Sequence, residues 1–98
     1  MNNNIESEKA IEKRLVELTR FNGGLCIKLL SFHLVGLPDR MCIFSKSRIV
    51  FVELKTTKQK PRPIQVFMQN KIRKLGFRVE VIDSVYKVDE LIESVLTE

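Results

Sequence analysis

The chain of 98 residues has few of the side chains that form zinc sites. It holds two cysteines, Cys26 and Cys42, and one histidine, His33, and it contains no Cys-x-x-Cys pair. A zinc site of the usual cysteine and histidine kind is therefore not expected. Because the two cysteines lie far apart in sequence and within apolar segments, we expect both to be buried, reduced thiols.

Long apolar runs are also absent. No run approaches the roughly 18 residues that a membrane-spanning helix needs. The first ten residues, MNNNIESEKA, lack the apolar stretch of a signal peptide. No repeat, linker or low-complexity stretch divides the sequence, so we expect one compact domain over residues 1–98. These absences favour a cytoplasmic protein with no membrane partner.

Acidic residues are missing from one long stretch of the chain. Residues 55–78 hold eight basic side chains and no acid, whereas residues 79–98 hold six acids and one base. The net charge is +5. Such a one-sided distribution favours an anionic partner, such as nucleic acid, for one face of the molecule. A solvated basic helix would give the same composition, so charge alone leaves both interpretations open.

The hydrophobic pattern predicts seven elements in the order α-β-β-β-α-β-α. This order indicates an α/β fold in which helices flank a mixed β-sheet. A short polar turn at residues 45–47 joins two of the strands into an antiparallel hairpin. The predicted helices span residues 5–20, 63–75 and 87–98, and the predicted strands span residues 25–34, 40–45, 48–56 and 77–83.

Two charged residues, Glu53 and Lys55, interrupt the otherwise apolar strand RIVFVELK. Side chains alternate between the two faces of a strand, so both charges follow Ile49 and Phe51 on one face. A strand with apolar residues on both faces is normally covered on both faces. Charges at its end therefore indicate an edge or a cleft, unless the strand has simply reached solvent by residue 53.

The hairpin brings a second carboxylate towards this position. With the turn centred near Lys46, Asp39 lies opposite residue 53 or 54. Two carboxylates placed side by side repel each other unless a cation lies between them. A hard divalent cation with oxygen ligands is the natural occupant of such a pair. The simpler alternative is that Asp39 caps the turn after Pro38.

Two predicted helices carry polar side chains at positions expected to face inward. Glu8 lies three residues before Ile11 and seven before Leu15, which places it on the apolar face of the first helix, whereas Glu12 lies towards the flank. Gln65 shares the apolar stripe of the second helix. The helix dipole would also explain an acid at the first turn, and an inward glutamine can find its hydrogen bonds on the backbone.

Together, GLPD (36–39), ELK (53–55) and Gln65 resemble the PD-(D/E)xK nuclease pattern. More narrowly, the ordered set resembles the VRR-NUC group, the virus-type replication-repair nucleases. That group has a helical acid, a Gly-x-Pro-Asp corner, a Glu-x-Lys strand and a downstream glutamine that opens a helix. The resemblance covers about residues 6–83. It implies a restriction-endonuclease-like core in a stand-alone nuclease of a bacterial or virus-infected host cell.

The resemblance also implies hydrolysis of phosphodiester bonds that depends on magnesium, for which manganese would substitute. It assigns the ion to Asp39, Glu53 and the backbone carbonyl of Leu54. A helical acid would complete the metal site or fix the catalytic lysine. Glu8 fits this role better than Glu12 because of its predicted face, and the choice between the two stays open.

The remaining roles that the resemblance implies fall to basic and amide side chains. Lys55 would orient the attacking water or stabilise charge on the phosphate, and Gln65 would position that water or the lysine. Between them, Lys58, Lys60 and Arg62 would hold the nucleic-acid backbone. This stretch contains no aromatic residue that could stack on bases, so its contribution to binding is expected to be independent of sequence.

A small domain with one site further suggests a homodimer that acts on branched DNA, such as a four-way junction, which has two related strands to cut. Three alternatives stay open at this stage. One is a restriction-like or flap nuclease of the same chemistry. The second is a non-catalytic nucleic-acid-binding module, and the third is a plain basic scaffold protein.

Overall fold

The fold is a four-stranded mixed sheet with helices on both faces. The computed structural model describes residues 5–98. Strands β1, β2 and β3 are antiparallel neighbours and β4 pairs with β3 in parallel, in the order β1-β2-β3-β4. The predicted fold class and element order are thereby confirmed. The elements are α1 (Glu8–Phe21), β1 (Leu25–Lys28), β2 (Arg40–Phe44), β3 (Arg48–Leu54), α2 (Pro63–Lys74), β4 (Arg78–Ile82) and α3 (Val85–Leu96).

The predicted first strand is wrong in its second half. β1 ends at Lys28, and residues 29–39 form the connection to β2. The apolar pattern continues through this connection, but a strand also needs a neighbour to pair with. Lys28 already pairs with Arg40, the first residue of β2, because the chain turns at the corner of residues 36–38. Leu30 and Phe32 are consequently 60% and 81% exposed.

Two helices begin where a serine caps them. α1 starts at Glu8 rather than at residue 5, because the Ser7 side chain accepts a hydrogen bond from the Ala10 N–H. α3 starts two residues before its predicted boundary, because the Ser84 hydroxyl accepts from the Lys87 N–H. Cap chemistry therefore decides both boundaries, whereas the apolar periodicity decides only that a helix forms.

The apolar core lies between one face of the sheet and the helices α1 and α3. Alternate residues of β3 point into it, and Val52 is fully buried. The opposite face of β3 lies towards α2, where Phe51 and Phe77 pack edge to face with ring centroids 5.9 Å apart. Both faces of β3 are therefore covered. None of the helices within residues 5–98 is long and apolar enough to cross a membrane.

The hairpin between β2 and β3 has the predicted register. Phe44 pairs with Arg48 at the turn and Arg40 pairs with Val52 at the other end, so the turn is centred on Lys46. Lys46 and the residue after it have positive φ angles of 62° and 59°, which match the right-handed twist of a tight hairpin. One step beyond the last pair, Asp39 lies opposite residue 53.

Candidate active site

Glu53 is buried within the sheet. Its side chain is 1% exposed, and β3 continues past it to Leu54. The parallel pairing with β4 includes Glu53, which lies opposite Val81. The strand therefore has not reached solvent at residue 53, and the carboxylate occupies a covered position on the α2 side of the sheet.

Asp39 is fixed by its side chain to β3 and by its backbone to the residue that follows β1. Its Oδ2 atom accepts a hydrogen bond of 2.7 Å from the Leu54 N–H, and its carbonyl accepts one of 2.9 Å from the Leu29 N–H. Asp39 thus does more than cap the turn after Pro38. The hairpin register and this bond place its carboxylate beside Glu53.

A glycine is required where the connection before Asp39 meets α2. Gly36 has a φ of +87°, and a Cβ atom there would lie 2.6 Å from the carbonyl oxygen of Ile64. A larger residue would therefore be strained and would clash with backbone. This close approach brings the corner that carries Asp39 against the first turn of α2, where Gln65 lies.

Gln65 bridges the helix and the buried acid. Its Nε2 atom donates a hydrogen bond of 2.7 Å to Glu53 Oε2, and its Oε1 atom accepts one of 2.7 Å from the Arg62 N–H. The inward orientation of Gln65 agrees with its place on the apolar stripe of the helix. Because both ends of its amide are occupied, Gln65 fixes the orientation of the Glu53 carboxylate.

Lys55 supplies a positive charge to the same face of the strand. It is 9% exposed, and its Nζ atom lies 3.5 Å from Glu53 Oε2. Its backbone N–H donates a 3.0 Å hydrogen bond to the Ile82 carbonyl, which extends the pairing of β3 with β4. A nearly buried ammonium is thus held beside a buried carboxylate.

The electrostatics of the site leave Glu53 short of partners. Its pKa is raised to about 7, mainly by burial; the charges of Asp39 and Glu8 act in the same direction, while Lys55 opposes them. Its Oε1 atom is buried and has no hydrogen-bond partner among the described residues. The unpaired Oε1 atom of Glu53 and the neighbouring Asp39 carboxylate together provide oxygen donors that fit a hard divalent cation.

The helical acids differ in what they contact. The prediction that Glu8 faces the core is wrong, because Glu8 is the first residue of α1 and its side chain is exposed; the buried stripe of that helix begins at Ile11. The negative charge of Glu8 nevertheless contributes to the raised pKa of Glu53. Glu12 instead forms an ion pair with Arg40, with Oε2 at 2.9 Å from the guanidinium. Of the two candidates, Glu8 is therefore the one without an ion pair within residues 5–98.

The site holds a pair of carboxylates with a third acid further out. Within residues 5–98, no three aspartate, glutamate, histidine or cysteine side chains converge as a metal-binding cluster. The structure brings together Asp39, Glu53, Lys55 and Gln65, and it leaves Glu8 on the exposed rim. Further ligands for an ion would therefore come from backbone oxygens, water or the substrate.

Three basic residues lie in the connection that joins the lysine of the site to the glutamine. Lys58, Lys60 and Arg62 are all exposed. The backbone N–H of Lys58 donates a 3.0 Å hydrogen bond to Asp83 Oδ2, and Lys58 has a φ of +67°. The connection is thus anchored at the sheet end while its basic side chains face solvent beside the acids.

Sequence reasoning missed the acids that shape this end of the molecule. Asp83 holds the connection at Lys58, and its pKa is lowered mainly by a hydrogen bond from Lys87. Glu6 accepts a hydrogen bond from the Val85 N–H, and its own N–H donates to Thr57. Their partners lie 25 to 79 residues away in sequence, so no local pattern marks either acid.

Comparison with known proteins agrees with this geometry. No protein-family model matches the sequence. A protein of Acyrthosiphon pisum secondary endosymbiont phage 1, named "Putative nuclease p44", is 39% identical over 77 residues, which are 79% of this chain and 83% of the phage protein. A solved structure described as a VRR_NUC domain is 34% identical, with a TM-score of 0.83, and the match covers 90% of this chain and 97% of that one.

Proposed function

The chain belongs to the VRR-NUC family of nucleases, and we propose that it is a metal-dependent DNA endonuclease that hydrolyses phosphodiester bonds in branched DNA. One observation carries the metal dependence. Glu53 is buried, its Oε1 atom has no hydrogen-bond partner within residues 5–98, and burial and the Asp39 charge both raise its pKa. Such a carboxylate is costly to the fold and is typical of a site that awaits a charged ligand.

The donor set suits magnesium, with manganese as a substitute. Asp39 and Glu53 would hold the ion, with the Leu54 carbonyl and Glu8 as further oxygen donors. All of these are hard oxygen ligands, which Mg²⁺ prefers. When bound, the ion would polarise the scissile phosphate and lower the pKa of a coordinated water.

The other side chains act around this pair. Gln65 keeps the Glu53 carboxylate in one orientation, because its amide is held at both ends. Lys55, beside Glu53, is placed to donate to a phosphate oxygen and to stabilise the negative charge that develops there. The acids would hold the cation, and the lysine would balance charge on the substrate.

The DNA backbone would lie along the basic connection before α2. Lys58, Lys60 and Arg62 are exposed and follow directly on the lysine of the site. Phosphate contacts of this kind fix the position of the duplex without reading its sequence. Selection of substrate would then depend on DNA shape, as expected for an enzyme of branched structures.

A homodimer would explain the apolar surface at the β1 edge of the sheet. β1 is an edge strand, and edge strands with exposed apolar side chains are normally covered. Several large apolar residues of β1 and its following connection are exposed, a grouping typical of an interface. They are Leu25, Ile27, Leu30, Phe32, Leu34 and Val35, with exposures from 37% to 81%. We call this set the β1-edge surface.

A two-fold dimer through the β1-edge surface would supply two sites for the two related strands of a four-way junction. Asp39 is the last residue of the connection that carries part of this surface, so the dimer would place each site at a fixed distance from the interface. A monomer, in contrast, would cut flaps or single strands one at a time.

The test is cleavage of linear, flap and four-way DNA with magnesium or manganese, paired with light scattering at micromolar concentration. We expect a dimer that prefers the junction. Phe32→Glu should give a monomer that loses this preference, whereas the control Leu75→Glu, an exposed position in α2's C-terminal cap, should not. A strict monomer that cuts linear duplex equally well would contradict the proposal. Binding without cleavage would indicate a non-catalytic module.

A further inference from the structure

The strand pairing brings the two cysteines together. Cys26 of β1 lies directly opposite Cys42 of β2 in the register. Their Sγ atoms are 3.7 Å apart, and both cysteines are free. The two thiols are thus neighbours in the fold although 15 residues, 27–41, separate them in sequence.

We propose that Cys26 and Cys42 form an oxidisable dithiol, at which a two-electron oxidant such as hydrogen peroxide closes a disulfide across β1 and β2. Directly opposed residues of antiparallel strands have Cα atoms about 4.5–5.5 Å apart. A disulfide spans Cα separations of about 4.4–6.8 Å. Closing the bond therefore needs rotation of the side chains and no rearrangement of the sheet.

The two thiols differ in access. Cys42 is 0% exposed and belongs to the apolar core, whereas Cys26 is partly exposed at the edge strand. The Thr19 hydroxyl lies 3.8 Å from the Cys42 sulfur, on the side of α1. An oxidant from solvent therefore reaches Cys26 first, and Cys42 is the second partner.

The charges and hydrogen bonds around the pair support the same order. The pKa of Cys26 is lowered to about 7, mainly by the hydrogen bond from the Cys42 thiol; Arg40 and Arg20 act in the same direction, while burial and the Glu12 carboxylate oppose it. The same hydrogen bond and burial raise the pKa of Cys42. At neutral pH a large fraction of Cys26 is thus thiolate, which is the reactive form, whereas Cys42 stays protonated.

The chemistry then has two steps. The Cys26 thiolate attacks one oxygen of hydrogen peroxide; the O–O bond breaks, hydroxide leaves, and a sulfenic acid forms. The Cys42 sulfur next attacks the Cys26 sulfur, its proton joins the departing hydroxyl group, and water leaves as the disulfide forms. Overall, two thiols are oxidised and one peroxide is reduced to two waters, once the hydroxide has taken up a proton.

The disulfide would link the short edge strand β1 covalently to β2. β1 has four residues and lies at the edge. The disulfide would close the segment that contains the connection and Asp39. Cys26 points to the opposite face of β1 from Leu25 and Ile27, so the β1-edge surface would stay available. The proposal does not depend on nuclease activity.

The direct test is mild peroxide treatment of the reduced chain, followed by intact mass and non-reducing peptide mapping. We expect the loss of two hydrogens, a linked peptide pair that contains Cys26 and Cys42, reversal by dithiothreitol, and a higher midpoint of thermal unfolding. A chain that keeps both thiols, or that yields disulfides between chains, would overturn the proposal.

Single variants test the order of attack. Cys42→Ser should trap a sulfenic acid at Cys26 that a 1,3-dicarbonyl reagent labels. Cys26→Ser should leave only the buried Cys42 thiol, and the peroxide should oxidise it at least about tenfold more slowly than it oxidises Cys26 in the other variant. Equal rates in the two variants would contradict the assigned order. If Cys42→Ser does not fold, time-resolved mapping of singly labelled wild-type chains gives the same comparison, with Cys26 expected to be labelled first.

Discussion

The two faces of β3 are both buried at residues 52 and 53, and they are chemically opposite there. Val52 is 0% exposed and packs in the core beneath α1 and α3, and its neighbour Glu53 is 1% exposed on the side of α2. The face of Val52 holds only apolar side chains near the strand's end. The other holds a carboxylate and, two residues later, an ammonium.

This contrast separates the apolar side chains, whose burial stabilises the fold, from the Glu53 carboxylate, whose burial costs free energy. Burial of the apolar face removes hydrocarbon from water, which favours folding. Burial of Glu53 disfavours its charged form and raises its pKa to about 7. Gln65 and Lys55 offset part of that cost. The apolar face therefore explains stability, and the polar face carries the proposed active site.

The largest effect should come from the polar face. Asp39→Asn keeps the oxygen that accepts from Leu54 but removes a charge from the proposed metal site. We expect cleavage to fall at least about a hundredfold, while DNA affinity stays the same or rises because a negative charge is lost. Cleavage and gel shift on one preparation give both values. Wild-type cleavage by this variant would remove Asp39 from the site.

Substitutions at adjacent residues should separate stability from activity. Leu54→Ala removes buried hydrocarbon from the apolar face and should lower the free energy of unfolding by about 2–5 kcal/mol. The matched variant Glu53→Gln should change it far less, because the amide keeps an acceptor for Gln65 and removes a buried charge. Urea titrations of both variants measure this. Equal losses would show that the carboxylate stabilises the fold.

The stability of the metal-free protein should depend on pH through Glu53. Its pKa is about 7 in the folded chain and about 4.5 ordinarily, so between these values the folded state holds the proton that the unfolded state has lost. The free energy of unfolding should therefore fall as pH rises from about 4.5 to about 7, by up to roughly 3 kcal/mol.

Urea titrations across this range, with a chelator present, provide the measurement. The same series on Glu53→Gln is the control and should lack this decline. A wild-type chain whose stability rises over the interval relative to the variant would show that the folded state favours the charged carboxylate, and the contrast between the two faces would fail.

The smallest effects should come from the exposed basic connection. Each lost phosphate contact lowers the salt slope of DNA binding by about one unit. Alanine at Lys58, Lys60 and Arg62 together should therefore flatten the slope by up to about three units. The control Lys46→Ala, in the exposed hairpin turn at the other end of β3, should leave it unchanged. An unchanged slope in the triple variant would place the DNA elsewhere.

Local sequence was sufficient to predict the centre of the site. The hairpin turn is short, so its centre near Lys46 determined that Asp39 would lie opposite residue 53 or 54. The helical spacing of Gln65 likewise predicted that it would face inward. Both inferences rest on regular geometry, namely the register of a hairpin with a short turn and the spacing of residues on one face of a helix. Such positions follow from strand and helix periodicity alone.

Features that depend on long connections could not be predicted. The apolar residues 29–34 suit a strand, but the corner at Gly36 leaves them no partner in β2. The pairing of Cys26 with Cys42 depends on the register across that same 11-residue connection. The exposure of Glu8 depends on how far α1 extends past the sheet, which periodicity within the helix does not specify.

The central claim is that Asp39 and the buried Glu53 together hold a divalent cation for DNA cleavage. Its most direct test is a magnesium titration of four-way junction cleavage by chelated wild type and chelated Glu53→Gln, with DNA affinity measured in calcium. We expect wild type to be inactive without metal and to recover with magnesium, and Glu53→Gln to bind DNA but stay inactive throughout. Full wild-type cleavage after exhaustive chelation, or equal recovery by Glu53→Gln, would contradict the claim.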